Sequence, residues 1–272
     1  MSRRFDLLVL DVDGTFLTSR KQPSDNVLAA VREALAAGVT VSFATGRMFE
    51  AIAGWVADLG LRNPQVGNNG ADIVNPVTGE RLYSQCLEPG TVAWLAAQGQ
   101  DVALPVVLFA GTRVLAEAKA DEHWLLERNN EPVSIVPRAE LLDPAQDVEK
   151  LLFLSLTRQD ELPPLRDRLV AEAPAHVRFQ SEVSEGGILN FCHPLATKRH
   201  ALIRLAEYMG IPLNRVAAVG DGDNDAEMLA TAGLGIAMGN ATPDARAAAK
   251  LSVPDNDHDG LAHAIRQHVL QA

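Results

Sequence analysis

Two aspartates, Asp11 and Asp13, stand two residues apart at the end of an apolar run, Phe5 to Leu10, and Gly14 follows them. Acids so placed repel one another unless a cation or a shared proton settles the charge. If strand geometry persists that far, both side chains leave one face, and Gly14 lets the backbone turn sharply. The same residues also fit a polar turn that only closes a strand. A second acidic run, Asp221-Gly222-Asp223-Asn224-Asp225, follows another apolar segment, Val216 to Val219. Three acids on alternate positions invite a calcium-loop reading. It fails, because a loop counted from Asp221 needs Gly at position 226 and Glu at position 232, and both are Ala. A solvated acidic turn is one alternative; the other pairs both acidic strand ends as oxygen donors from two loops, the set an octahedral magnesium ion takes.

Two further residues suit an anion. Thr45, followed by Gly46 where a strand runs into a helix, offers a hydroxyl and neighbouring amides to a phosphate; capping the helix is its plainer use. Lys198 falls in the first turn of a predicted helix, where the dipole disfavours a cation. An ordinary surface lysine is the competing reading.

The elements that position these residues follow from the apolar pattern. Phe5 to Leu10 has five apolar residues in six and reads as a buried strand of a parallel sheet. Ser24 is placed to cap a helix with Val27, Val31 and Leu35 on one stripe and Gly38 at its end. Val39 to Ala44 is a second strand, entering Thr45-Gly46-Arg47; a helix over Met48 to Leu59 follows, and Pro64 to Gly67 then leads into Asn68-Asn69-Gly70-Ala71. This alternation predicts a parallel α/β sheet with right-handed crossovers. In such sheets ligands sit beyond the carboxyl ends of the strands, and Asp11, Thr45 and Asn69 all fall at such ends.

Near Tyr83 the texture changes. Pro105 to Ala110 and Arg113 to Ala118 read as a hairpin around Gly111-Thr112. Helices are expected over Thr91 to Gln98, Asp121 to Arg128 and Leu165 to Ala173, and strands over Leu151 to Thr157, His176 to Gln180 and Gly187 to Cys192. Pro144, Pro163-Pro164 and Pro174 are read as loops. The mixture predicts an α+β domain over residues 83–190, inserted into a first domain made of 1–82 and 191–272. The α/β rhythm then resumes: a helix over Thr197 to Met209, the strand Val216 to Val219, a short helix over Ala226 to Ala232, a strand over Leu234 to Ala237 and a last helix over Leu261 to Leu270.

Composition narrows the class. The 272 residues are 47% apolar and 22% charged, an ordinary globular profile with ample length for a core. A formal charge of −11 without a clustered basic face gives no support to nucleic-acid binding. An anionic substrate then needs local help from a metal, a lysine or helix N-termini. Cys86 and Cys192 read as buried free thiols. The apolar run after the basic start stops at Asp11, short of a secretory segment, and no run approaches a membrane span, so a cytoplasmic protein is expected.

Counted together, these residues resemble the haloacid dehalogenase superfamily of phosphatases. Asp11-Val12-Asp13-Gly14-Thr15 is similar to its nucleophile motif, Thr45-Gly46-Arg47 to its second motif, Lys198 to its third, and Gly220-Asp221-Gly222-Asp223-Asn224-Asp225 to its fourth. The insertion between the second and third motifs, with Asn69-Gly70-Ala71, is similar to the Cof-like branch, whose α/β cap sits over the active site. Two departures stand out: Leu195 and Arg199 replace glycines around the third motif, and Phe16 replaces the leucine common after the first.

The resemblance implies a doubly wound, Rossmann-like parallel-sheet core with an inserted α+β cap. It implies magnesium-dependent hydrolysis of a phosphate monoester through an aspartyl-phosphate on Asp11, with Asp13 protonating the leaving oxygen and then taking a proton from water. Magnesium is then held by Asp11, the backbone carbonyl of Asp13 and Asp221, with Asp225 as a ligand or just behind. Thr45, the Gly46 amide, Lys198 and Asn224 surround the phosphoryl oxygens. The expected partner is a small phosphorylated metabolite, a sugar phosphate by analogy, with no nucleic acid or membrane. A phosphomutase on the same scaffold and a non-enzymatic phospho-acceptor or ligand-sensing module are the alternatives; Asp13 argues against the latter, since a base beside it would not spare a phospho-aspartate.

Overall fold

The structure, a computed structural model, describes residues 4–184 and 186–271. Its first sheet has β1 (Leu7–Leu10) flanked by β2 (Thr40–Phe43) on one side and by Val216–Gly220, Leu234–Ala237 and Leu251–Ser252 in turn on the other. All pairings are parallel. Successive residues of a strand face opposite sides, and here both sides are apolar. Leu8, Leu10, Val41 and Phe43 pack with helix α1 (Asp25–Ala36), helix α2 (Phe49–Asp58) and the terminal helix. Leu7, Val9, Val216 and Ala218 pack with the helices Lys198–Met209 and Ala226–Thr231 on the other side. This is the doubly wound core the sequence predicts.

Local chemistry sets the ends of the elements. Ser24 caps α1, its hydroxyl accepting from the Val27 amide at 3.1 Å, and Gly38 follows with φ +82°. Phe16 is buried, edge-on to Phe43 at 4.9 Å and to Trp55 at 5.8 Å between ring centroids. The phenylalanine that departs from the family pattern therefore fills a place between β2 and α2.

Contacts divide the chain into two compact units, one running to Tyr83 and resuming at Thr197, the other Ser84–Ala196. The second unit is a six-stranded sheet in the order Gln180–Ser184, Ile188–Cys192, Val148–Leu154, Val106–Ala110, Arg113–Ala116, Val133–Ile135. Its pairings are antiparallel except the last. Leu108, Leu151, Phe153, Leu189 and Phe191 line one face, against the helices Pro89–Asp101 and Leu162–Glu172. Ile188–Cys192 pairs with Val148–Leu154, so the second crossing falls at Thr197 rather than at residue 191.

Several expectations are corrected. Pro163-Pro164 do not form a loop but sit in the first turn of the helix Leu162–Glu172, where amides have no intrahelical acceptor to lose. The strand expected over His176 to Gln180 runs over Gln180–Ser184 instead, set by its pairing with Ile188–Cys192. The strand expected from Leu151 begins at Val148, with an irregular register opposite Phe109 and Ala110. The last helix is α-helical over Gly260–Ala264 and continues as a π-helix over Ile265–Val269. Cys192 is buried, but Cys86 is only half-buried.

Replacing Phe16 tests the packing. Phe16→Leu is expected to cost less than about 1.5 kcal/mol of unfolding free energy, and Phe16→Ala about 3–5 kcal/mol. Urea unfolding monitored by circular dichroism measures both; equal losses would mean that the aromatic ring is not what fills the site.

Candidate active site

β1 ends at Leu10, so the strict alternation of a strand does not carry from Asp11 to Asp13, and the two acids enter different surroundings. Asp11 is buried. Its Oδ1 accepts from Lys198 Nζ at 2.6 Å, and the same ammonium donates to Asp225 Oδ1 at 2.7 Å. Lys198 is the first residue of its helix and is itself buried, not a surface lysine. Thr197 Oγ1 caps that helix by accepting from the His200 amide at 3.1 Å.

The second acidic loop closes around the same point. Asp225 Oδ2 accepts from the amides of Asp221 and Gly222, both at 2.9 Å. Asp221 Oδ1 accepts from Thr15 Oγ1 at 2.7 Å and its Oδ2 from Asn240 Nδ2 at 3.0 Å; Asn240 also donates to the Gly14 carbonyl at 2.9 Å. Gly14 has φ +85°, and a Cβ there would lie 2.2 Å from Asp221 Oδ2. Both conformation and space therefore demand glycine at this turn.

Carboxylate oxygens of Asp11, Asp221 and Asp225 lie within 4.8 Å of one another. Three carboxylates against one ammonium leave two negative charges uncompensated. Burial, reinforced by Asp225 and Asp221 and opposed by Lys198, pushes the Asp11 carboxyl well above its ordinary value. Burial and the Asp225 charge likewise raise Asp221, to about 6, against the Thr15 hydrogen bond. Burial alone would lower the Lys198 ammonium, but Asp11 and Asp225 outweigh it and hold the proton in place. An all-oxygen donor set that lacks two positive charges fits a hard divalent cation.

Asp13 lies outside this cluster. Arg47 grips it as a fork, Nε to Oδ2 at 2.7 Å and Nη2 to Oδ1 at 2.6 Å, and Lys21 Nζ reaches Oδ1 at 2.8 Å. Burial would raise this carboxyl, but Arg47 and then Lys21 outweigh it and bring it down to about 2. Asp13 is thus ionised here, whereas an acid for the leaving group has to carry a proton.

The predicted anion-binding residues form a linked set. Thr45 Oγ1 accepts from the Arg47 amide at 3.1 Å, and the Thr45 carbonyl accepts from the Asn69 amide at 2.9 Å. Met48, not Thr45, precedes the first turn of α2. Asn224 Nδ2 donates to Asn69 Oδ1 at 2.9 Å, and a Cβ on Gly46 would lie 2.9 Å from that same oxygen. A Cβ on Gly70, where φ is +91°, would lie 2.3 Å from the Thr197 carbonyl, so this turn abuts the start of the Lys198 helix. Leu195 and Arg199, the departures around the third motif, are exposed.

The sequence places Asn69 with Asp11 and Thr45 at the strand ends, and Asn69 does join Thr45 and Asn224; Arg47 and Thr15 have no role in that reading, and Lys21 and Asn240 no place in it. Arg47 and Thr15 lie inside quoted motifs and were within reach. Lys21 and Asn240 sit in loops with no local signal.

Residues 8–265 match the model of the haloacid dehalogenase-like hydrolases. The chain is 28% identical over 273 residues to the 5-amino-6-(5-phospho-D-ribitylamino)uracil phosphatase of Bacillus subtilis, covering 96% of this chain and 97% of that protein. It is 27% identical over 254 residues to an HMP-PP phosphatase of Yersinia pestis, covering 88% and 85%. A haloacid dehalogenase-like hydrolase from Bacteroides thetaiotaomicron superposes with a TM-score of 0.86 at 26% identity, covering 97% of this chain and 99% of that one. The chain belongs to the haloacid dehalogenase-like hydrolases. Within them it is a Cof-like member, a phosphoric monoester hydrolase by class. Among the described residues no helix is long and apolar enough to cross a membrane.

Raised carboxyls make cation binding compete with protons. A carboxyl raised in the folded chain holds its proton until pH exceeds that value, so a cation must displace a proton below about pH 6, the value to which Asp221 is raised. Magnesium affinity is expected to fall by at least about tenfold for each pH unit below that point. Titration calorimetry between pH 5 and 7.5 measures this, and a flat profile would rule out carboxylate ligation at this cluster.

Proposed function

We propose that the protein hydrolyses a small phosphate monoester through an aspartyl-phosphate on Asp11, with magnesium at the Asp11, Asp221 and Asp225 cluster. The observation that carries this reading is the buried Lys198 ammonium joined to both Asp11 and Asp225, with two negative charges left over. A magnesium ion there supplies positive charge to the phosphoryl oxygens and keeps Asp11 ionised. Asp221 and Asp11 provide side-chain oxygens to it, and the Asp13 carbonyl is assigned with them. Asp225 spends both oxygens on Lys198 and on the Asp221 and Gly222 amides, so its part is to hold the loop and the lysine.

Asp11 attacks phosphorus in line. Lys198, Thr45, the Gly46 amide and Asn224 take the equatorial oxygens, whose charge is the main thing to stabilise in phosphoryl transfer. Asp13 serves the leaving oxygen and then the attacking water. The ionised form held by Arg47 is the one that accepts a proton from water; protonating the leaving oxygen requires Asp13 to loosen from Arg47. Ser84–Ala196 is proposed as the cap of this enzyme, and a sugar phosphate or similar metabolite as the substrate class.

Phosphate release from a panel of sugar phosphates, nucleotides and cofactor phosphates, with magnesium and with chelator, tests the reading. Full turnover after exhaustive chelation would sink it. Asp221→Ala is expected to lose activity through weaker metal binding and to regain part of it at high magnesium.

The two carboxylates of the first motif are expected to fail differently. Asp11→Asn abolishes turnover and any covalent phosphoenzyme. Asp13→Asn lowers the rate by about 10² to 10⁴, and with nitrophenyl phosphate, whose leaving group needs no proton, the acyl-phosphate accumulates. A nitrophenol burst and an added phosphoryl mass on the Asp11 peptide report it; an adduct on Asp11→Asn would show that the nucleophile is elsewhere.

A further inference from the structure

The Arg47 fork already satisfies both oxygens of Asp13, yet a second cation, Lys21, is brought to the same carboxylate. The backbone goes to some trouble to place it. Lys21 has φ +59°, a left-handed conformation that is unfavourable for a side-chain-bearing residue and persists only where the surroundings over-determine it. Those surroundings are visible. Within the loop, the Thr18 amide and hydroxyl both donate to the Gln22 carbonyl, at 3.0 and 2.7 Å, and the Lys21 amide donates to the Thr18 carbonyl at 2.9 Å. From the far end of the chain, Asp257 accepts from the Ser19 amide at 2.9 Å, Asn256 donates to the Leu17 carbonyl at 2.8 Å, and Asp259 accepts from Ser24 and Asn26 at 2.5 and 2.9 Å. The loop is fixed on both flanks with Lys21 at its tip.

An exposed ion pair of this kind contributes little to stability. The side chain is half exposed, and one of three ammonium donors is spent on Asp13. Asp13, Arg47 and Lys21 together carry one excess positive charge in a protein of net charge −11. If Asp13 acts at the leaving oxygen, the atoms attached to that oxygen arrive beside Lys21.

We propose that Lys21 is a specificity residue that recognises a second anionic group, a carboxylate or a phosphate, on the leaving group of the phosphate ester. This rests on the assignment of Asp13 to the leaving oxygen. Lys21 donates through its solvent-facing hydrogens to that anion, and a leaving group without one leaves those hydrogens to water.

Matched esters test it: 3-phosphoglycerate against glycerol 3-phosphate for a carboxylate, and fructose 1,6-bisphosphate against fructose 6-phosphate for a phosphate. The wild type is expected to prefer the anionic member of at least one pair in kcat/KM, and the pair identifies the anion. Lys21→Asn keeps a residue that tolerates the left-handed backbone. It is expected to reduce that preference about tenfold or more, the size of losing one charge-assisted hydrogen bond, chiefly by raising KM for the anionic member. Lys21→Arg is expected to retain most of it. Equal losses on both members of each pair, or no preference in the wild type, would overturn the proposal and leave Lys21 as a support for Asp13. Failure to release nitrophenol from nitrophenyl phosphate would instead overturn the phosphatase reading on which it rests.

Discussion

A single ammonium ties together the acidic cluster at the ends of the parallel strands. Lys198, buried at the start of its helix, is the only cation whose side-chain hydrogen bonds reach Asp11 and Asp225 among the described residues. Without it the two carboxylates would stand in a low-dielectric interior with nothing to offset them, and removing one partner of such a pair costs about 3–5 kcal/mol. The surrounding structure is arranged to make that burial tolerable. Asp225 also draws on two backbone amides, Thr15 and Asn240 support Asp221, and the Gly70 turn fits against Thr197 at the helix start. The lysine thus joins three distant parts of the chain, the end of β1, the 198 helix and the 221–225 loop.

Charge in the site is partitioned. Around Asp11 there is too much negative charge, and around Asp13 a little too much positive. Two acids that begin as near neighbours in sequence are separated by the turn at Gly14 and by their partners, and burial pushes one up while Arg47 pulls the other down. The proposed difference in duty between two identical side chains rests on that difference in environment.

Much of the core was legible in the sequence because its signals are local. Unbroken apolar runs such as Leu7–Leu10 mark strands buried on both faces, and Ser24 and Gly38 bracket α1 as their chemistry demands. The acids and Lys198 were found through motif order. What pairing decides was less legible. Gln180–Ser184 is half-buried along its length and takes its place from Ile188–Cys192, and the proline pair 163–164 reads as a break unless the helix start is known. Lys21 was invisible for a related reason: its position depends on Asn256, Asp257 and Asp259, more than 230 residues away.

The position of β1 bears on the order in which the molecule can be built. β1 lies between β2 and a partner, Val216–Gly220, that is synthesised some two hundred residues later. Until then one edge of a fully apolar strand has no permanent neighbour, and such edges are templates for aggregation. The intervening Ser84–Ala196 has its own sheet and core, so it can fold while β1 waits. Asp11, Lys198 and the second acidic loop therefore come together only after residues 198–225 have been made, and until then the open edge of β1 is a hazard for mispairing.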